Sequence, residues 1–224
     1  MDSRFSPQIL SILLIDRTTQ KNILWATDDY SPISAKSEIK IEQIMGNNEN
    51  RIKPRMQKQK SEQTNRTRNK AEVFTPSWVC NEQNNLIDEA WFSRKNVFNV
   101  SDKKNPQEWI STKKIIFNEN VENKRTWRDY VNATRLEITC GEAPYLTSRY
   151  DTVTGQEIKI ADRIGLLDRK LRVVRENVQN EDEYFLWTKI AYQNCYGFEL
   201  QGDNLFLARV NVLLTFIENT EFFL

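Results

Sequence analysis

The chain has 224 residues, 39% of them apolar and 28% charged, with a formal net charge of +1 and no histidine. That length allows one large or two small domains with a real core, and no run of about 18 apolar residues calls for a transmembrane helix. The missing histidine excludes Ser-His and Cys-His nucleophile pairs and the usual zinc sites, so chemistry must rest on carboxylates, lysines, backbone groups or a cofactor.

The first stretch, MDSRFSPQILSILLID, has too short an apolar run for a signal peptide and reads as folded protein. Ser6-Pro7 predicts an N-cap and first helical residue, with a helix over residues 7–15. KNILWAT reads as a strand. Residues 31–70 lack apolar periodicity beyond Ile39, Ile41, Ile44 and Met45, and predict a helix or two over the surface rather than in the core. At AEVFTPSWVCNEQNNLIDEAWF, Thr75 and Pro76 predict a helix start. Trp78, Val79, Leu86, Ile87 and Ala90 predict its apolar face, to about residue 92. A loop-rich stretch with a possible strand at KKIIF follows. TWRDYVNATRLEI then carries a helical turn into a strand.

DRIGLLDRKLRVVREN predicts an amphipathic helix, with Ile164, Leu167, Leu171 and Val174 on one face. DEYFLWTKIAYQNC predicts another, CYGFEL a buried strand, and GDNLFLARVNVLLTFIE a long apolar helix with Asp203 as N-cap. Strand, helices, strand, helix implies parallel strands with crossover helices, an α/β fold. The last helix, ending in Phe222-Phe223-Leu224, would be only partly covered by two strands, and exposed apolar area of that kind finds a partner or aggregates. Cys80, Cys140 and Cys195 are widely spaced and suit a reducing cytoplasm rather than a disulfide framework.

Charge is unevenly placed. Residues 51–70 hold eight basic residues, Arg51, Lys53, Arg55, Lys58, Lys60, Arg66, Arg68 and Lys70, against the single acid Glu62. Such a strip suits double-stranded DNA phosphates, or else a solvated linker or helix face. Two strands also end in a glutamate, Glu137 and Glu199. In a parallel sheet ligands sit beyond the carboxyl ends of the strands, where such acids accept from ribose hydroxyls. With the Cys140-Gly141 turn, the pair suggests an adenosine-type cofactor. The alternative is two ordinary strand-end acids in solvent.

RLEITCGEAPYL resembles the first cofactor motif of the adenine-specific DNA methyltransferases of restriction–modification systems. YGFELQGDNLFLARVNVLLT is similar to their second motif, and AEVFTPSWV to their phenylalanine-threonine-proline motif. Together these cover roughly residues 70–217, and ILWATDDY and RIGLLDRKLRVV extend the resemblance towards the group known as restriction endonuclease subunit M or type II modification methylase. The resemblance implies a partial Rossmann-like methyltransferase sheet over residues 71–224, preceded by a mostly helical region with the basic strip over 1–70. It implies S-adenosyl-L-methionine as cofactor. Glu199 would hold the ribose hydroxyls, and Cys140, Gly141, Glu142 and Ala143 would pass beside the methionine part. Glu137 would fix the turn or reach the ligand's amino group, and Phe74, Thr75 and Pro76 would close the other side.

Two departures stand out. Glu142, Ala143 and Pro144 replace glycines usual in that turn, and Pro144 offers no N–H. The family's Asn/Asp-Pro-Pro-aromatic loop, which accepts the flipped adenine, is absent from the sequence, so no catalytic residue is assigned. The resemblance therefore implies a truncated or split adenine-N6 methyltransferase, inactive without a C-terminal fragment carrying that loop or a specificity subunit. The rivals are a non-enzymatic DNA-binding or assembly module with a vestigial cofactor site, and a magnesium nuclease built on Asp151, Glu157 and Lys159.

Overall fold

The computed structural model describes residues 5–117 and 125–224. Its first helix, α1 (Pro7–Leu14), is capped by Ser6, whose Oγ accepts from Ile9 N–H. It leads into a short antiparallel pair, β1 (Ile15–Asp16) and β2 (Lys21–Asn22). The strand predicted at KNILWAT extends beyond β2 only as a bridge between Leu24 and Glu38. Residues 31–59 form turns and single 3-10 turns. They are not confined to the surface: Ile39, Ile44 and Ile52 are buried in a core with Leu10, Leu14 and Trp25. Phe206, Leu207 and Leu214 close that core from the last helix.

Helix α2 (Lys60–Lys70) is polar on all sides and ends at Ala71 in the left-handed region. Helix α3 (Ser77–Phe92) overturns two expectations. Thr75 does not cap it; Asp151 reaches across and accepts from Ser77 N–H at 2.6 Å. Its buried face is polar, formed by Ser77, Cys80, Asn81, Asn84 and Asp88, while Leu86 is 64% exposed. The reason lies in helix α5 (Leu166–Asn177), which brings Arg169 into the interior. Arg169 pairs with Asp88 at 2.6 Å and donates to Asn81 and Asn85, and Tyr130 OH donates to Asp88 at 2.8 Å. A buried guanidinium needs such partners, so α3 turns its polar stripe inward.

The strands after α3 are β3 (Asn99–Ser101) and β4 (Trp109–Ser111), an antiparallel pair; KKIIF itself is not a strand, although Ile115 is buried. Helix α4 (Trp127–Asn132) starts with a reciprocal Thr126–Asp129 capping box and passes into β5 (Arg135–Ile138). The crossover contains α5 and α6 (Glu181–Gln193), and β6 (Cys195–Phe198) then pairs with β5 in parallel, Leu136 opposite Tyr196 and Ile138 opposite Phe198. Ile164 is buried but precedes α5. Leu167, Leu171 and Val174 meet Tyr130, Tyr184 and Ala191 in a second core.

The last helix is α7 (Gly202–Phe223). Asp203 does not cap it, being drawn instead into ion pairs. A Cβ on Gly202 would lie 1.8 Å from the Leu24 carbonyl oxygen, so only glycine lets α7 start against the N-terminal region. The chain is thus mixed helix and strand with a small parallel α/β unit. Strand β6 is not buried as expected: Phe198 is 63% exposed, and Ile138 beside it 69%. Parallel sheets normally carry helices on both faces, and this two-stranded one is covered on one side. Phe222 and Leu224 at the end of α7 are exposed too. Among the described residues no helix is long and apolar enough to cross a membrane.

Candidate ligand-binding site

A cleft of about 830 Å³ opens beyond the carboxyl ends of β5 and β6. Glu137, Cys140, Gly141 and Glu199 line it from the sheet side, and Phe74 and Thr75 from the segment before α3. Three other residues expected there do not line it. Pro76 lies at the start of α3, Ala143 is buried in a small core with Leu146 and Leu166, and Glu142 turns away. The Glu142 carboxylate accepts from Arg55 N–H at 2.6 Å and Tyr150 OH at 2.5 Å, and burial pushes its pKa up.

Both strand-end glutamates bend back onto the turn. Glu199 accepts from Gly141 N–H at 2.8 Å and from Gln201 N–H at 3.0 Å. Glu137 accepts from Tyr145 and Leu146 N–H at 3.3 and 3.1 Å. Cys140 N–H donates to Phe198 O and Ala143 N–H to Cys140 O. Pro144 has no N–H. Most of the amides that a glycine-rich turn would aim at a phosphate are therefore engaged within the chain. The carboxylates also compensate for the missing glycines. Thr139 and Ala143, as well as Gly141, adopt positive φ. That conformation costs a non-glycine residue about 1–2 kcal/mol, and persists because the two carboxylates fix its neighbours.

The electrostatics follow from this packing. Burial pushes the Glu137 carboxyl up to about 8, with Glu199 adding repulsion and the two backbone donors opposing. Burial, with both glutamates near, pushes the Cys140 thiol up to about 12. The thiol is neutral at ordinary pH, so Cys140 is a wall of the cleft rather than a nucleophile.

The basic strip divides. Arg51, Lys53, Lys60 and Arg68 remain on the surface, half-buried in the case of Arg51. The other four are tied to acids and carbonyls of the chain, contrary to a continuous phosphate-facing strip. Arg66, 1% exposed, pairs with Glu72 at 2.6 Å, Asp203 at 3.0 Å and Asp29 at 2.5 Å. Lys58 pairs with Asp203, Lys70 with Asp29, and Arg55 with Glu72. Arg55 also lies 5.1 Å from the Phe74 ring centroid, and a Cβ on Gly141 would be 3.4 Å from that ring. The strip is thus a clasp that presses Phe74 against the turn.

Asp151 is occupied in capping α3 and in the turn amides of Val153 and Thr154, and Tyr150 bridges Glu157 across that turn. Among the described residues no group of three metal-ligating side chains comes together. Two further cleft residues, Asn84 and Asn204, escaped the sequence reading. For Asn84 a signal is present, since Ser77, Asn81, Asn84 and Asp88 repeat at helical spacing as a polar stripe; Asn204, in the apolar pattern of α7, has none. No protein-family model, curated protein or solved structure matches the chain.

Proposed function

We propose that the cleft binds S-adenosylmethionine and that the chain is the cofactor-binding portion of an adenine-N6 DNA methyltransferase. One observation carries the reading: the turn that would receive a nucleotide's phosphates is held by two carboxylates instead. With its amides engaged and Glu199 at its edge, the turn suits an adenosine ligand without phosphates, such as one carrying a sulfonium. The family resemblance of the same three segments, which meet at one cleft, supports it. The reading takes β5 and β6 as part of a Rossmann-like sheet, with Phe74 and Thr75 closing the ligand against Gly141.

Of the residues expected to bind the ligand, Phe74, Thr75, Glu137, Cys140, Gly141 and Glu199 keep that role; Glu142 shapes the turn from behind. Glu199 meets the ribose only with oxygen lone pairs left after its two backbone bonds. Methyl transfer also needs the target base extruded and held through its amino group. The sequence has no Pro-Pro-aromatic loop for this, so on this reading these residues supply the cofactor site, the base-holding loop lies outside them, and double-stranded DNA is the substrate. Arg51, Lys53, Lys60 and Arg68 are the strip residues left to meet phosphates. Labelled S-adenosylmethionine should be retained by the folded protein in equilibrium dialysis at millimolar ligand. No retention would overturn the reading. Robust methyl transfer to mixed-sequence DNA by this chain alone would show that its catalytic group lies elsewhere in these residues.

A further inference from the structure

Two residues of the cleft wall carry a buried acceptor that no donor among the described residues reaches: Asn84 Oδ1 and Asn204 Oδ1. Both side chains are essentially sealed from solvent. Their amide orientations are fixed by what the nitrogens do. Asn84 Nδ2 donates to the carbonyls of Tyr145 at 3.1 Å and Ile164 at 3.0 Å, and Asn204 Nδ2 donates to Glu72 Oε2 at 2.9 Å. A flip would set oxygen against oxygen at all three contacts. The unpartnered atom in each is therefore an acceptor, and leaving a buried acceptor unpaired costs free energy that a ligand's donor restores.

The two stand on different elements of the cleft wall, Asn84 in α3 and Asn204 in α7. Asn84 is tied to Tyr145, whose N–H donates to Glu137. Asn204 follows the Glu199–Gln201 segment at the start of α7. We infer that Asn84 and Asn204 are ligand-binding residues, each accepting a hydrogen bond from an N–H group of the ligand. Asn84 takes the amino-acid ammonium beside Glu137, and Asn204 takes the exocyclic amine of the base beyond Glu199. The cleft thereby selects a ligand with N–H donors at both ends. Neither oxygen is open to water, so these donors reach them only as the cleft wall moves on binding. The assignment rests on the S-adenosylmethionine reading and names the groups by which that ligand is chosen.

Calorimetry on the full chain tests it with three ligands: S-adenosylmethionine, its inosine counterpart lacking the base amine, and its desamino analogue lacking the ammonium. Each analogue should bind the unmodified chain about tenfold more weakly, the scale of one hydrogen bond to a buried group. Asn204→Leu should weaken S-adenosylmethionine about tenfold and leave the inosine analogue unchanged; Asn84→Leu should do the same with the desamino analogue. A merely structural role would weaken parent ligand and analogue by the same factor, and that result overturns the assignment. So does equal binding of all three ligands to the unmodified chain, which needs no variant to fold. If the folded chain binds no S-adenosylmethionine, both this inference and the reading beneath it fail; if it binds without discrimination, only this inference does.

Discussion

The basic segment 51–72 and the turn 137–146 are both rich in charge and dispose of it differently. In the segment, four cations face inward onto Asp29, Glu72 and Asp203, forming a clasp whose charges largely cancel. In the turn, two carboxylates face backbone amides, which align dipoles but supply no compensating charge. A count of charges cannot tell these arrangements apart. The difference lies in the partners: cations face the acids of the clasp, and backbone amides face those of the turn.

The clasp is most sharply broken at Arg66. Arg66→Met should cost about 3–5 kcal/mol in denaturant unfolding, because Glu72 and Asp203 would remain buried without their main cation. A loss under about 1 kcal/mol would mean that the clasp is not what holds the segment. Removal of Lys60 or Arg68, both exposed elsewhere in the strip, should cost far less.

The turn has its own pH signature. The folded Glu137 carboxyl sits at about 8 against an ordinary 4.5, so the folded chain holds a proton that the unfolded chain releases. The stability this contributes is full below about pH 4.5 and is lost as pH rises towards 8, an effect on the order of a few kcal/mol. The melting temperature should fall over that window, and Glu137→Gln should flatten the fall. The clasp acts in the opposite direction. Burial alone would raise the Asp203 carboxyl, but Lys58 and Arg66 hold it below its ordinary 3.8, so its stability is present above that value and lost as pH falls further.

Smaller effects separate binding from folding. Glu199→Ala should weaken S-adenosylmethionine by about 1.5–3 kcal/mol, the scale for hydrogen bonds to a charged group, measured by calorimetry. Smallest of all, Lys60→Ala and Arg68→Ala should each change stability by no more than about 0.5 kcal/mol. Together they should reduce the salt dependence of duplex binding. Unchanged DNA affinity across a salt series would remove the surface half of the strip from the interface.

The Ser6-Pro7 start made α1 legible in the sequence, apolar spacing made α5 legible, and the alternation of strands and helices gave the parallel order of β5 and β6. The face of α3 was misread for a physical reason. Leu86 and Ile87 suggest an apolar stripe, but Arg169, more than 80 positions away, needs Asp88, Asn81 and Asn85. Asp203 looked like a cap for the same local reason and is claimed by Lys58 and Arg66 instead. At the cleft, Glu137, Glu199 and the Cys140-Gly141 turn were visible as types and positions. That both carboxylates fold back onto the turn depends on its left-handed residues Thr139 and Ala143, which no residue pattern announces.

We propose that this turn takes a phosphate-free adenosine ligand, one with a sulfonium, rather than a phosphorylated one. Calorimetry with S-adenosylmethionine and with ATP, each at millimolar concentration on the same folded protein, tests it most directly. Saturable heat is expected with S-adenosylmethionine and none with ATP. Equal binding of the two, or binding of ATP alone, would contradict it.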